Sequence, residues 1–157
     1  MESVPLVTAL TVSFRFVIGV VAAVAATVVM DLVMARLPEG ETPPFIASGV
    51  LTNSVPADAP GRLANVVHYI AGWFTGPLFV WMLLTSEGLL GGQSILATVV
   101  AAAVLYSLMV GFFVFVVLPR SRLPSARMAD IRRDWAISAA AYLLVLVPLV
   151  ALGSRIV

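Results

Sequence analysis

The sequence predicts an all-α integral membrane bundle of four transmembrane helices, with a short interfacial helix in the first cytoplasmic loop. Three observations lead there. The 157 residues are 61% hydrophobic and only 11% charged, whereas a soluble domain has roughly 45–50% apolar and about 25% charged residues. The mean hydropathy is +1.08. Four apolar runs each reach the length of about 20 residues that a hydrocarbon core requires, and prolines and charges gather between them. Residues 1–157 therefore read as a single four-helix transmembrane domain.

The first span is expected from about Phe14 to Met34, with an apolar approach from near Pro5. Its AAVAAT resembles a signal-peptide cleavage site. The leader, however, carries Glu2 and Arg15 instead of a positive n-region, and the apolar run continues past the small residues, so the segment is expected to stay as a span. The second runs from about Leu63 to Leu84, the third from about Ile95 to Leu118, and the fourth from about Trp135 to Leu152. Pro77 and Pro148 fall inside the second and fourth, where each removes one intrahelical bond and invites a kink. GLLGG, residues 88–92, reads as the turn between spans two and three. In the loop LPEGETPPFIASGVLTNSVPADAPG, Thr42 followed by Pro43 and Pro44 reads as a helix cap with proline in the first turn. A short helix on the membrane surface or under the bundle follows, and a re-entrant segment lining a cavity is the alternative.

Arginine sets the orientation. The connection PRSRLPSARMADIRRD holds Arg120, Arg122, Arg127, Arg132 and Arg133, and the first loop is flanked by Arg36 and Arg62. TSEGLLGGQS has no basic residue. Basic residues stay in the cytoplasm, so both long loops are expected inside a cell membrane and both termini outside. Trp135 and Trp81 then fall at the inner and outer interfaces, which suit indoles. The five arginines of the last loop fix topology and can contact anionic lipid headgroups.

Two ionisable residues stand within the spans. Asp31 lies five residues before Arg36, and His68, the one histidine, lies six after Arg62, which places both about 8–9 Å from their flanking arginines. Counting back from Asp31 by fours gives Thr27, Ala23 and Gly19. Counting forward from His68 gives Gly72 and Gly76. Residues four apart share a face, and small-residue stripes allow membrane helices to approach closely. The stripes would pack with Asp31 against His68, Thr27 near Gly72 and Ala23 near Gly76. Asp31 could instead reach headgroup water or pair with Arg36 or Arg62. Arg15 is expected to snorkel outward or to pair with Glu87 or Glu2. Ala103, Ser107 and Gly111 form a third small stripe and, with Tyr106, are read as core packing.

The missing chemistry narrows the function. Without cysteine there are no disulfides, thiolate metal sites or cysteine nucleophiles. HExxH, a phosphate-cradling glycine loop and a nucleophile elbow are also absent, so no catalytic residue, resident metal or cofactor is expected, and the chain is read as a non-enzyme. A net charge of +1 gives no sign of a nucleic-acid partner, and none is expected. Three classes of function stay open. The first is a membrane protein that self-associates as a homo-oligomer or serves as an accessory subunit among other membrane subunits, in contact with membrane lipid. The second is a small oligomeric transporter or proton-coupled permeation protein using Asp31 and His68. The third is a haem or quinone anchor, in which His68 would need a methionine such as Met30, Met34 or Met109 as second axial ligand.

MDLVMARLP closing the first span, HYIAGWFTGPLFVWML in the second and GFFVFVVLP closing the third make the chain similar to small prokaryotic four-helix membrane proteins of unknown function. The likeness covers about residues 27–120. On it, Asp31, His68, Gly72, Gly76 and Pro119 match the pattern, whereas the loop Glu39–Gly61 and the arginine-rich loop have no counterpart. The resemblance implies a fold and no activity.

Overall fold

The computed structural model describes residues 4–156, and among these every regular element is helical. Helix α1 spans Val4–Met34, α2 Thr42–Thr52, α3 Gly61–Leu90, α4 Ile95–Phe112 and α5 Ser125–Gly153. Four of them, α1, α3, α4 and α5, are long and apolar enough to cross a membrane. A 3-10 turn, Pro56–Asp58, leads into α3. Beyond α4 the chain continues as a π turn, Phe113–Val117, and a 3-10 turn, Leu118–Arg120.

The spans alternate in direction. The end of α1 meets the start of α3 through Asp31 and His68, and the start of α1 meets the ends of α3 and α5 through Glu87 and Ser154. Both long connections, with α2, therefore lie at one end of the bundle, called here the α2 end. Helix α1 packs against α3 and α5, and α4 closes the ring against the same two. Lipid tails are as apolar as leucine, so packing and close backbone approach hold such a bundle together. The core accordingly sets Ala22, Ala23 and Ala26 of α1 against Phe79, Val80 and Leu83 of α3 and Tyr142 and Leu146 of α5.

A second apolar cluster sits at the α2 end, where Ile46 of α2 is fully buried with Phe113, Leu118 and Ile131. Helix α2 is thus tucked under the bundle, and Ser48 on it donates to the Pro60 carbonyl at 3.0 Å. Thr42 is its first helical residue, with Glu41 at the cap position, and the Thr42 hydroxyl donates to Glu39 at 2.6 Å. The prolines still occupy the first turn, where a missing N–H costs nothing.

Several boundaries differ from the sequence expectation for physical reasons. Helix α3 runs on to Leu90 and stops at Gly91, whose φ of +82° is open to glycine and whose N–H caps the Glu87 carbonyl. Helix α5 begins at Ser125, ten residues before Trp135, so Arg127, Arg132 and Arg133 stand on its first turns and the loop is short. The third span does not stay α-helical to Leu118 but widens into the π turn. Ala103 and Ser107 are exposed on the outer surface of α4. The third small stripe therefore faces away from the core, and the Ser107 hydroxyl is satisfied by the Ala103 carbonyl of its own helix.

Candidate functional site

Asp31 is the polar residue around which the α1–α3 joint is organised. Its Oδ1 lies 2.7 Å from His68 Nε2, and its Oδ2 accepts from the Tyr69 hydroxyl at 3.0 Å. His68 and Tyr69 are neighbours in sequence, so one turn of α3 supplies both partners. The side chains are 33% exposed for Asp31 and 11% for His68, so the carboxylate has an open side and the imidazole is enclosed. Tyr69 and Trp73, exposed along the same face, stack with ring centroids 6.1 Å apart.

Along the same interface the stripes meet in the expected register. A Cβ placed on Gly72 would lie 2.6 Å from Thr27 Oγ1, and one on Gly76 would lie 2.0 Å from the Gly19 carbonyl oxygen and 2.6 Å from Ala23 Cβ. Thr27 turns its hydroxyl back to the Ala23 carbonyl at 2.8 Å, so no donor is stranded at the closest approach. The far end of the joint is an ion pair. Arg15 binds both oxygens of Glu87 at 2.7 Å and donates through Nε to Ser154 at 3.1 Å. Its side chain is only 4% exposed, so Arg15 pairs inside the bundle instead of snorkelling. One joint thus carries a polar side-chain pair at each end and closely packed small residues between.

Behind His68 opens an apolar cleft of about 430 Å³ between α3 and α4, floored by α2 and α5. Apart from His68, which is held by Asp31, the polar groups on its walls are turned to backbone. Tyr142 donates to the Gly72 carbonyl at 2.6 Å, Trp135 to the Met109 carbonyl at 3.1 Å and Thr75 to the Ala71 carbonyl at 2.7 Å. The cleft wall includes Met30 and Met109 as well as His68, whose Nε2 is held by Asp31. Among the described residues no three metal-ligating side chains converge.

The arginines at the α2 end divide into two sets. Arg127 is bidentate on Glu39 at 2.7 Å, and Arg133 reaches Asp130 at 3.3 Å and Asp134 at 2.8 Å. Arg127 and Thr42, hydrogen-bonding to Glu39, hold its carboxyl below the usual range against the opposing effect of burial. Among the described residues no carboxylate forms an ion pair with Arg120 or Arg122. Arg120 donates to the Val116 carbonyl and Arg122 to Asn53 Oδ1 at 2.5 Å. Arg132 is exposed on α5.

Two polar anchors escaped the sequence reading. Asp134 is fully buried, and its Oδ2 accepts the Glu39 backbone N–H at 2.8 Å, which ties the α1–α2 turn to α5. Tyr142 joins α5 to α3. Counting back by fours from Tyr142 gives Ser138 and Asp134, a polar stripe in an apolar helix that would have marked the inward face.

Four long apolar helices around a shared core define the class: a multi-pass helical membrane protein. Neither a protein-family model nor a curated protein nor a solved structure matches the chain.

Proposed function

We propose that the chain is a non-enzymatic integral membrane protein that works through association, as a homo-oligomer or as an accessory subunit among other membrane proteins. The supporting observation is how the polar groups of the spans are used. Arg15, Asp31 and Tyr142 are each joined to a neighbouring helix, so intramembrane polarity, which is costly and usually has a task, holds the scaffold together. The α2 end, rich in arginine, is the cytoplasmic side in this reading, with both termini outside. Extraction in mild detergent, followed by crosslinking and mass spectrometry, tests association. We expect a stable homo-oligomer or a recurrent membrane partner, and a purely monomeric, partnerless chain overturns the reading. A cysteine at Ser125 tests orientation, since the chain has no other. Its labelling by an impermeant reagent in intact cells would invert the assignment.

One observation favours a second reading, a proton-coupled permeation protein. The His68 ring borders the cleft on one side and holds Asp31 on the other. This reading requires a flux in liposomes that Asp31→Asn and His68→Ala abolish.

A further inference from the structure

The cleft and a depression beside Arg120 and Arg122 border neighbouring stretches of the same chain segments, α2 and the turns after α4. The cleft ends against Ala47 of α2 and Val117 of the π turn. A depression of about 390 Å³ begins two residues further along the chain at both places, at Gly49 and Pro119, and is bordered by Asn53, Arg120 and Arg122. The residues that border it include two guanidiniums and no carboxylate. Arg127 and Arg133, by contrast, are already matched by Glu39, Asp130 and Asp134.

We propose that this composite groove holds one anionic phospholipid, with an acyl chain in the cleft and the phosphate at Arg120 and Arg122. The dimensions fit a chain. Along α3 the cleft runs from Val67 to Leu78, about 16 Å at a helical rise of about 1.5 Å per residue. That is close to half of a hydrocarbon core about 30 Å thick, the depth of one leaflet on the α2 side. The cleft chemistry fits as well, because Tyr142, Trp135 and Thr75 each spend a donor on backbone and leave an apolar wall.

The backbone supports the headgroup end. Arg122 has φ of +58° and Asn53, facing it, φ of +55°, a left-handed conformation that an arginine seldom adopts. At Asn53 it is the ordinary C-terminal cap of α2. The Arg122 guanidinium is held beside Asn53 by its hydrogen bond to Oδ1, where its remaining N–H groups can receive a phosphate.

The test uses the full chain with Trp73→Phe and Trp81→Phe, so that Trp135 alone reports on the cleft. Chain-brominated phosphatidylglycerol should quench Trp135 at concentrations roughly thirtyfold below chain-brominated phosphatidylcholine, the preference expected from two arginines at an anionic headgroup. Arg120→Gln with Arg122→Asn should remove the preference and leave quenching by both lipids at high concentration. Ala71→Phe, which fills the cleft from an exposed wall position, should reduce quenching by both. Native mass spectrometry of the unaltered protein should show one retained phosphatidylglycerol. Equal quenching by the two lipids, or a preference that survives loss of both arginines, would overturn the proposal. Failure to retain lipid in the unaltered protein would do the same.

Discussion

Gly76→Ala is the smallest change that should separate α1 from α3. The added Cβ would lie 2.0 Å from the Gly19 carbonyl oxygen, whereas real Cβ atoms essentially never come within 3.0 Å of such a neighbour. The helices must therefore part by about 1 Å at this point. The obstacle is backbone, which has no rotamer to yield, and Ala23 Cβ at 2.6 Å blocks a sideways shift. Alanine gains about 1 kcal/mol over glycine in helix propensity, and overpacking of a tight interface costs about 1–3 kcal/mol or more. Loss of contact also spreads along the stripe to Thr27 and Gly72. We expect a net destabilisation of about 2 kcal/mol, read by reversible unfolding in mixed detergent micelles. Gly88→Ala is the control, since a Cβ there meets nothing within 4 Å and should leave stability equal or slightly raised. If Gly76→Ala matches Gly88→Ala, the close approach is not what holds the two helices.

Other joints give further outcomes. Asp31→Asn and His68→Gln should each destabilise by about 1–3 kcal/mol, and the double variant should cost less than their sum; additive effects in the cycle would mean that the pair is not coupled. Breaking the enclosed Arg15–Glu87 pair by Glu87→Gln should cost about 3 kcal/mol, and Arg15→Met with Glu87→Leu should recover most of it; a double variant as unstable as the single would refute that. Glu39 titrates low in the folded state, so its stabilisation is complete above the ordinary glutamate value of about 4.3 and fades as pH falls through the lowered folded value. Glu39→Gln should thus cost about 1 kcal/mol at pH 7, limited by the solvent around Arg127, and the difference from the unaltered chain should close in acid. A gap that stays constant with pH would argue against the pairing.

Where residues repeat in phase the fold was legible. Four apolar runs define four spans, and the fours-counting from Asp31 and His68 puts Thr27 beside Gly72 and Ala23 beside Gly76, because an α-helix repeats its face nearly every four residues. The π turn at Phe113–Val117 was not legible, since an uninterrupted apolar run looks the same in either winding. The start of α5 was hidden for a different reason. Its first turns lie outside the apolar core and carry charge, so a hydropathy reading begins the helix only at Trp135. Asp134 was lost in that same charged run, its buried side masked by three neighbouring charges at Asp130, Arg132 and Arg133. The cleft could not have been read at all, because it is the space left between helices whose spacing only tertiary packing sets.

The π turn also has a consequence for how this chain can change length. Its closing bond runs from Leu118 N–H to the Phe113 carbonyl, five residues back instead of four, so this stretch stores one residue more than an α-helix of the same bonding would use. Deleting a single residue between Phe113 and Val117 would let α4 rewind as ordinary helix while everything after it keeps its phase. Leu118 would keep its buried place against Ile46 and Ile131, and Arg122 its bond to Asn53. A one-residue deletion in the first half of α4, such as at Val99, would instead carry the buried Ala101 and Leu105 out of phase before that rewinding could absorb it. The segment therefore acts as an expansion joint, and changes in helix length are best tolerated when they are taken up there.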